Sequence, residues 1–570
     1  MLDLSRLDGL GDLLRDALLT FKSRIALLEA DRHRESARFS YQELQREAER
    51  ITTRLQEAGV EAGDRVAILM SNQARWVMSS HGVVFSGAVL VPLDYKLTAK
   101  EQLALIAHAK PKVLITEYGI WRSLVQAGQA GQPQLENVLV MVTESKPNDA
   151  LGAATRWEAP AHGRFRFVAR KREDVASIVY SSGTGGTPKG CMLTHDNYLE
   201  QAQAMCSLYQ MKPDDVYFSV LPTNHAIDFM VGTILPFLFG AAVAHQRTLR
   251  PEFLADTMKR YRVTHTALVP RILKNLRDRM EEQLDDRPEW QRTAVHALTQ
   301  INDAATMRTP KPWLSRTLLK PIHDRFGGRL RLIFAGGAWV DPELANYFYK
   351  LGIPVVIGYG LTEAGTSLTL NDLKPFRPDT VGAPLPGVQL EVRDRDASGN
   401  GEVWVRSRTV MHGYFNAPEA TREVLVDGWL RTGDIGSVDA SGHLKLVGRA
   451  KNMIVTDGGK NIYPEDVEAA FDAVPCEELC VFAERFVWRK QALGDEGLCV
   501  VVRLKSGALL EDTLNAIRVA NRKLADFKRA SSYAVITEEF PRTASMKVKR
   551  GELGELVHKL VPAPSALAET

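Results

Sequence analysis

A chain of 570 residues with 45% hydrophobic and 25% charged residues has the make-up of a folded globular protein of several domains, which excludes the disordered, collagen-like and coiled-coil classes. A formal charge of only +3 gives no electrostatic case for a nucleic-acid binder. Five scattered cysteines fit a reducing cytoplasm better than a disulfide framework or a zinc site.

The opening MLDLSRLDGLGDLLRDALLTF is amphipathic with acids interspersed, unlike the basic start and apolar run of a secretory signal. Apolar periodicity then predicts a helix over 41–58, a strand over 65–70, a helix over 74–86, a strand over 89–92, a helix over 99–109 and a strand over 112–116. Such alternation implies parallel pairing through βαβ units. Residues 144–172 dissolve into Pro, Gly, Ala and charge and read as a connector.

Alternation resumes with VASIVY at 175–180, a glycine-rich loop leading to a helix from about residue 196, and a strand over 216–222. A helix follows across the apolar run 229–244, then strands near Ala242 and over 264–270, 330–337 and 355–360. Two such regions predict two stacked α/β subdomains. The apolar run, about 16 residues with Pro236 inside it, is short of the roughly 20 needed to span a bilayer, so a buried core segment is expected.

After residue 381 come short strands and tight turns. Asp-Ala-Ser-Gly occurs at Asp396 and again at Asp439, each placed as a hairpin requires, and a β-rich subdomain follows from this. Beyond residue 450 the pattern is α+β, with a helix opened by Pro464 at a favoured first-turn position, strands at LCVFAE and GLCVVVRL, a helix over 511–528 and a last helix after Arg550. Bases outnumber acids between Arg503 and Arg550, which suits either a local anionic partner or a solvated charged face.

The loop SSGTGGTPKG at 181–190 follows an apolar strand directly. Its glycines permit close approach, and its hydroxyls and backbone N–H groups can face a polyanion. A Walker A loop is excluded, because Pro188 has no N–H and Gly190 has no hydroxyl for magnesium. A flexible linker fits poorly in that setting.

At these residues the chain resembles the adenylate-forming superfamily, and within it the acyl-CoA synthetases, nearest the long-chain fatty acid–CoA ligases. The resemblance rests on six motifs in order: YSSGTGGTPKG (180–190), GYGLTEAG (358–365), GEVWVRSRTVMHGYFN (401–416), GWLRTGDIG (428–436), GRAKNMIVTDGGKNIYPEDVE (448–468) and PRTASMKVKR (541–550). It implies an α/β fold. A large N-terminal domain, residues 1–450, would hold two α/β subdomains plus the β-rich subdomain. A small mobile α+β C-terminal domain, residues 451–570, would follow.

For the site, the resemblance implies that Ser181, Ser182, Gly183, Thr184, Gly185, Thr187 and Lys189 clasp the phosphates of ATP, with Thr184 and Lys189 as the main contacts. Gly337, Ala338, Gly358, Tyr359 and Gly360 would shelve the adenine. Thr362 would meet the α-phosphate and Glu363 would hold Mg2+, while Asp434 and Arg449 would grip the ribose. Asp434 would sit in a turn bounded by Gly433 and Gly436, where hairpin capping is its alternative use. Lys547 matches the catalytic lysine, although Met546 precedes it where the family usually has glycine. Lys451 would be the hinge, and Gly458, Gly459 and Lys460 would line a tunnel for the thiol of coenzyme A unless they form only a hairpin turn.

His225 matches a residue near the substrate carboxylate, or is a helix-start histidine. The position at which amino-acid-activating relatives keep an aspartate falls on Ile227, with Asp228 adjacent. Phe229, Met230 and Ile234 suit a fatty tail or an ordinary helix core. The expected reaction is ATP-dependent activation of a carboxylic acid, medium- or long-chain, to acyl-AMP and then to the coenzyme A thioester. An acyl carrier protein is the alternative acceptor, and a non-catalytic acyl-nucleotide sensor is a further reading. A cytoplasmic location with no membrane-spanning helix is expected; the sequence sets neither attachment to a membrane surface nor the oligomeric state.

Overall fold

The computed structural model describes residues 4–128, 135, 137–181, 188–307, 309–455, 461–488, 497–543 and 547–567. The chain forms two compact units, the first comprising Met1–Gln389 with Arg406–Leu430 and the second Leu390–Val405 with Arg431–Thr570. The β-rich region after residue 381 therefore groups mostly with the C-terminal region, not with the α/β subdomains.

In the first unit, two large sheets form among the described residues. One runs in the order Ala383–Pro384, Thr369–Leu370, Val355–Tyr359, Leu332–Ala335, His265–Leu268, Val216–Ser219, Ala242–Gln246, Ile25–Asp31 and Arg34–Ser40. The other runs Gly413–Tyr414, Lys189–Thr194, Val175–Ser181, Val89–Pro92, Arg65–Leu69, Val113–Glu117, Leu139–Thr143 and Thr155–Arg156. Their interiors are parallel, as the βαβ alternation predicts.

Two features depart from a simple succession of subdomains. The hairpin Ile25–Asp31/Arg34–Ser40 joins the sheet made by the later region, pairing in parallel with Ala242–Gln246. The strand Val175–Ser181 conversely pairs with Val89–Pro92 of the earlier one. Also, the glycine-rich loop does not lead straight into a helix. Lys189–Thr194 is a strand, antiparallel to Val175–Ser181, and the helix His195–Leu208 starts only after it, capped by Thr194. KGCMLT is too short for its alternation to separate a strand from a helix start.

Helices fill the space between apolar sheet faces. Tyr41–Glu57 begins with a Ser40/Glu43 capping box, in which each side chain takes the other residue's backbone N–H, so its start is fixed locally. The run 226–238 is helical, with a π-helical turn at Phe229–Ile234, and it is buried as expected. No helix among the described residues is long and apolar enough to cross a membrane. Phe229 packs edge-on against Trp76 and Tyr198, and Phe237 against Tyr41 and His81. The irregular 144–172 segment is no free linker, since buried Trp157 donates its Nε1–H to Ser79 at 2.9 Å and lies 4.4 Å beneath the Arg50 guanidinium.

The second unit contains most of a sheet with strands Gln389–Arg393, Gly401–Arg406, Trp429–Val438 and Leu444–Arg449, the last two antiparallel. Both Asp-Ala-Ser-Gly turns form as expected. Asp396 Oδ1 accepts the N–H groups of Ser398 and Asn400, and Asp439 Oδ1 those of Ser441 and His443. A second sheet, Glu478–Ala483, Leu498–Arg503, Ala530–Val535 and Ser565–Ala566, is packed on both faces.

Glu478, with a side chain 2% exposed, ties that sheet to the segment before Arg550. It accepts from Arg503 at 2.7 Å, Arg542 at 2.5 and 3.1 Å, and the Phe540 N–H at 3.1 Å. Burial works to raise this carboxyl, but the Arg542 and Phe540 hydrogen bonds outweigh it and hold it below the ordinary range. Glu478→Ala removes the buried carboxylate that Arg503 and Arg542 share, leaving Arg503 only the longer Glu477 contact at 3.7 Å. It is expected to lower the unfolding free energy by about 3 kcal/mol, read as a lower urea midpoint; an unchanged midpoint would refute the role.

Candidate active site

In the first unit the site is assembled from three chain segments. The hairpin Val175–Ser181/Lys189–Thr194 brings Ser181 opposite Lys189 at the base of the glycine-rich loop. Ser182, Gly183, Thr184, Gly185 and Thr187 lie outside the described residues. The short strand Gly413–Tyr414 adds to the hairpin edge with Tyr414 beside Cys191. Glu363 comes from a 3-10 turn, Thr362–Ala364, just past the strand Val355–Tyr359.

These segments meet at one oxygen. Glu363 Oε1 accepts from Ser181 Oγ at 3.2 Å and from the Tyr414 hydroxyl at 3.0 Å, while its backbone carbonyl accepts the Met411 N–H at 2.9 Å. The Lys189 ammonium lies 5.0 Å from the centre of the Tyr414 ring. Burial, and then the Glu363 charge, push the Tyr414 hydroxyl well above its ordinary range, so it stays a donor. A carboxylate steered by two hydroxyls, with a lysine nearby, suits a hydrated magnesium shared with phosphates, because Mg2+ keeps waters and takes only one or two protein carboxylates. Among the described residues no three His, Cys, Asp or Glu side chains gather into a dedicated metal cage. Tyr414 was not among the expected contacts, although its motif was; only strand pairing shows that it reaches Glu363.

Beside this cluster, Leu332–Ala335 and Val355–Tyr359 run parallel with Ala335 opposite Ile357, so their following turns end at the same edge. Gly337, at φ +80°, and Ala338 are exposed, while Tyr359 is buried. Gly360 cannot carry a side chain, because a Cβ there would lie 1.8 Å from the Thr366 carbonyl. Backbone from 358–360 and 366–367 is thereby pressed together, and Thr366 Oγ1 donates to the Ala226 carbonyl at 3.1 Å, linking this edge to the 226–238 helix.

His225 precedes that helix, with Nε2 3.6 Å from Asp94 Oδ2 at the end of Val89–Pro92. Asp228 points inward, where Tyr217 donates at 3.0 Å and Ser219 at 2.7 Å. Asn72 completes the network through Ser219 Oγ and the Thr223 N–H. Phe229, Met230 and Ile234 are all fully packed in the core, which favours the ordinary helix-core reading over lining for a fatty tail.

In the second unit, Asp434 lies within the strand Trp429–Val438, not in an isolated turn, and stands opposite Arg449. The Arg449 Nε–H donates to its Oδ1 at 2.9 Å. The Gly-Asp-x-Gly spacing that suggested a turn is accommodated by Gly433 at φ +69° and by a register shift between Ile435 and Gly436. Lys451 follows in a 3-10 turn; desolvation, then the Arg449 charge, push its ammonium down to about 8. Lys547 is exposed, and the segments on either side of 544–546 are held by the Thr543 N–H donating to the Lys547 carbonyl at 2.8 Å and the Lys549 N–H donating to the Pro541 carbonyl at 2.8 Å. Met546, Gly458, Gly459 and Lys460 lie outside the described residues.

An α/β unit in which the residues flanking a glycine-rich sequence stand beside an oriented carboxylate, followed by an α+β region carrying an exposed lysine, fits the adenylate-forming class of enzymes. The family model described as AMP-binding enzyme matches residues 14–415. The chain belongs to this AMP-binding enzyme family. It is 26% identical over 532 residues to the long-chain-fatty-acid–CoA ligase FadD15 of Mycobacterium bovis, covering 87% of each chain. It is 28% identical over 530 residues to the feruloyl-CoA synthase of an Amycolatopsis species, covering 90% of this chain and 93% of that one. Among solved structures it resembles ATP-bound MatB from Rhodopseudomonas palustris, at 25% identity and a TM-score of 0.74, covering 96% of this chain and 98% of that one.

The buried network at Asp228 yields a pH signature. Burial outweighs the Ser219 and Tyr217 hydrogen bonds and pushes this carboxyl up from 3.8 to about 7. Between those values the native state binds a proton that the unfolded chain has released, so the residue's contribution to stability is present at low pH and is lost as pH rises through about 7. Asp228→Asn is therefore expected to flatten the fall in urea midpoint between about pH 4 and about pH 7. Parallel pH profiles for the two proteins would rule this out.

Proposed function

We propose that the chain is an AMP-forming acid–CoA ligase that joins a fatty acid to AMP, releasing pyrophosphate, and then passes the acyl group to coenzyme A. The observation that carries the reading is the Glu363 carboxylate oriented by Ser181 and Tyr414 beside Lys189, at the base of a loop rich in glycine and hydroxyls. Similarity over 87% of the chain to a fatty-acid–CoA ligase supports the acid and the acceptor.

In the first step two anions, the carboxylate and the α-phosphate, must approach, so charge stabilisation and positioning do most of the work. Lys189 and the loop hold the phosphates that leave as pyrophosphate. Glu363 would hold magnesium, which when bound neutralises phosphate charge. Asp434, oriented by Arg449, accepts the ribose hydroxyls, and His225 stands near the acid. Exposed Lys547 places its ammonium between carboxylate and phosphate. Lys451 serves as the hinge between residues 1–450 and 451–570, and the 458–460 loop lines the thiol channel in the second step. An aryl acid is the competing substrate, favoured by the similarity to a feruloyl-CoA synthase.

Pyrophosphate release is measured with fatty acids of graded length and with hydroxycinnamic acids, each with and without coenzyme A. The highest kcat/KM is expected for a fatty acid, with coenzyme A consumed. Preference for a hydroxycinnamate would replace the substrate, release without coenzyme A consumption would point to another acceptor such as a carrier protein, and no acid-dependent release would end the enzyme reading. Lys547→Ala is expected to slow adenylate formation by roughly a hundredfold or more yet still convert supplied acyl-adenylate to thioester; equal loss of both steps contradicts its role.

A further inference from the structure

One helix outside the Glu363 cluster bonds to all three segments that build it. His195–Leu208 starts with Thr194 as its cap, and its first turns are sunk into the first unit: Asn197 is 5% exposed, Tyr198 1% and Gln201 0%. The Asn197 amide donates to the Arg408 carbonyl at 2.6 Å and to the Val410 carbonyl at 3.1 Å. The same segment then supplies the Met411 N–H bonded to the Glu363 carbonyl and the Tyr414 hydroxyl bonded to Glu363 Oε1. Gln201, one turn beyond Asn197 on the same helix face, accepts the Ser367 N–H at 3.2 Å and so holds the chain just after Glu363. The Tyr198 hydroxyl shares a 2.7 Å hydrogen bond with Ser177, in the strand that ends at Ser181. Charge adds a second grip, since Asp196 and Glu200 accept from Arg408 at 2.6 and 2.9 Å and from Arg172 at 2.7 and 3.2 Å.

None of these bonds reaches the Glu363 side chain itself, yet they decide where its donors stand. A carboxylate aimed by two hydroxyls loses its aim when one of them shifts, and Tyr414 is fixed only as well as the segment that carries it. The Asn197 amide cannot turn over to relax, because its Oδ1 already accepts the Thr194 N–H at 2.8 Å and its NH2 therefore faces the two carbonyls. We propose that Asn197 is a positioning residue for the Glu363 carboxylate, acting through residues 408–414, and that it sets how well that carboxylate serves magnesium. The inference rests on the reading that Glu363 holds the metal.

Asn197→Asp separates the two uses of this side chain: a carboxylate still accepts the Thr194 N–H and keeps the cap, while the donors to Arg408 and Val410 are lost. The full chain is titrated calorimetrically with α,β-methylene-ATP, which cannot be cleaved between its α- and β-phosphates, once with magnesium and once with EDTA. The ratio of the two affinities is the magnesium contribution. It is expected to fall about tenfold in Asn197→Asp and about threefold in Arg408→Ala, with the affinity in EDTA unchanged in both. Arg408 has a side chain 62% exposed, so its removal spares the core and decides the matter alone should Asn197→Asp not fold. Because Asn197 acts through Tyr414, Asn197→Asp joined to Tyr414→Phe should lose no more than the worse of the two single variants. The proposal is overturned if Glu363→Gln loses the magnesium contribution while Asn197→Asp and Arg408→Ala keep it, a result that leaves the Glu363 reading standing. It is equally overturned if the two single losses simply multiply, or if affinity in EDTA falls as far as affinity with magnesium, the mark of a merely structural role. A parent protein whose affinity is the same with magnesium and with EDTA would overturn the Glu363 reading and this inference together.

Discussion

The first unit's site depends on a single carboxylate oxygen. Glu363 Oε1 receives hydroxyl hydrogens from Ser181 and Tyr414, residues 182 and 51 positions away in the chain. Neither donor is near Glu363 until the sheets have formed, because Ser181 ends a strand of one sheet and Glu363 follows a strand of the other. Each bond is part-buried, so the carboxylate is shielded without being sealed. The Met411 N–H bonded to the Glu363 carbonyl fixes the turn itself, so side chain and backbone are held by separate means.

The floor of this region is built from buried polar groups as well as apolar packing. Asp228, Tyr217, Ser219 and Asn72 tie the end of one strand, the turn after another and the 226–238 helix into one hydrogen-bonded network. Such a network is costly unless every member is satisfied, and this makes it specific: few other packings offer the same donors. The π-helical turn at Phe229–Ile234 adjoins it, a local irregularity of the kind that often accompanies functional sites. The identity of residue 228 thus bears on the placement of His225 without contact between their side chains being needed.

In the second unit the same logic recurs with charge. Glu478 gathers Arg503, Arg542 and the Phe540 N–H, and so anchors the segment that leads to Lys547. Glu468, pairing with Arg550 through both oxygens at 2.7 Å, holds the segment that follows. Exposed Lys547 thus lies between two anchored segments.

Local chemistry was legible in the sequence wherever one segment suffices to decide it. The two Asp-Ala-Ser-Gly turns, the alternation of strand and helix through 65–116 and the buried apolar run at 229–244 all follow from hydrogen bonds or periodicity within a few residues. The ordered motifs likewise marked Glu363, Asp434, Arg449 and Lys547 as candidates. Long-range pairing was not legible. That Ile25–Asp31 lies beside Ala242–Gln246, that Lys189–Thr194 turns back as a strand, that Asp434 stands within a strand opposite Arg449, and that Tyr414 reaches Glu363 are decided by strand partners far apart in the chain. A strand's own residues state that it needs a partner, while the identity of the partner depends on which sheet edge remains open once the rest has packed.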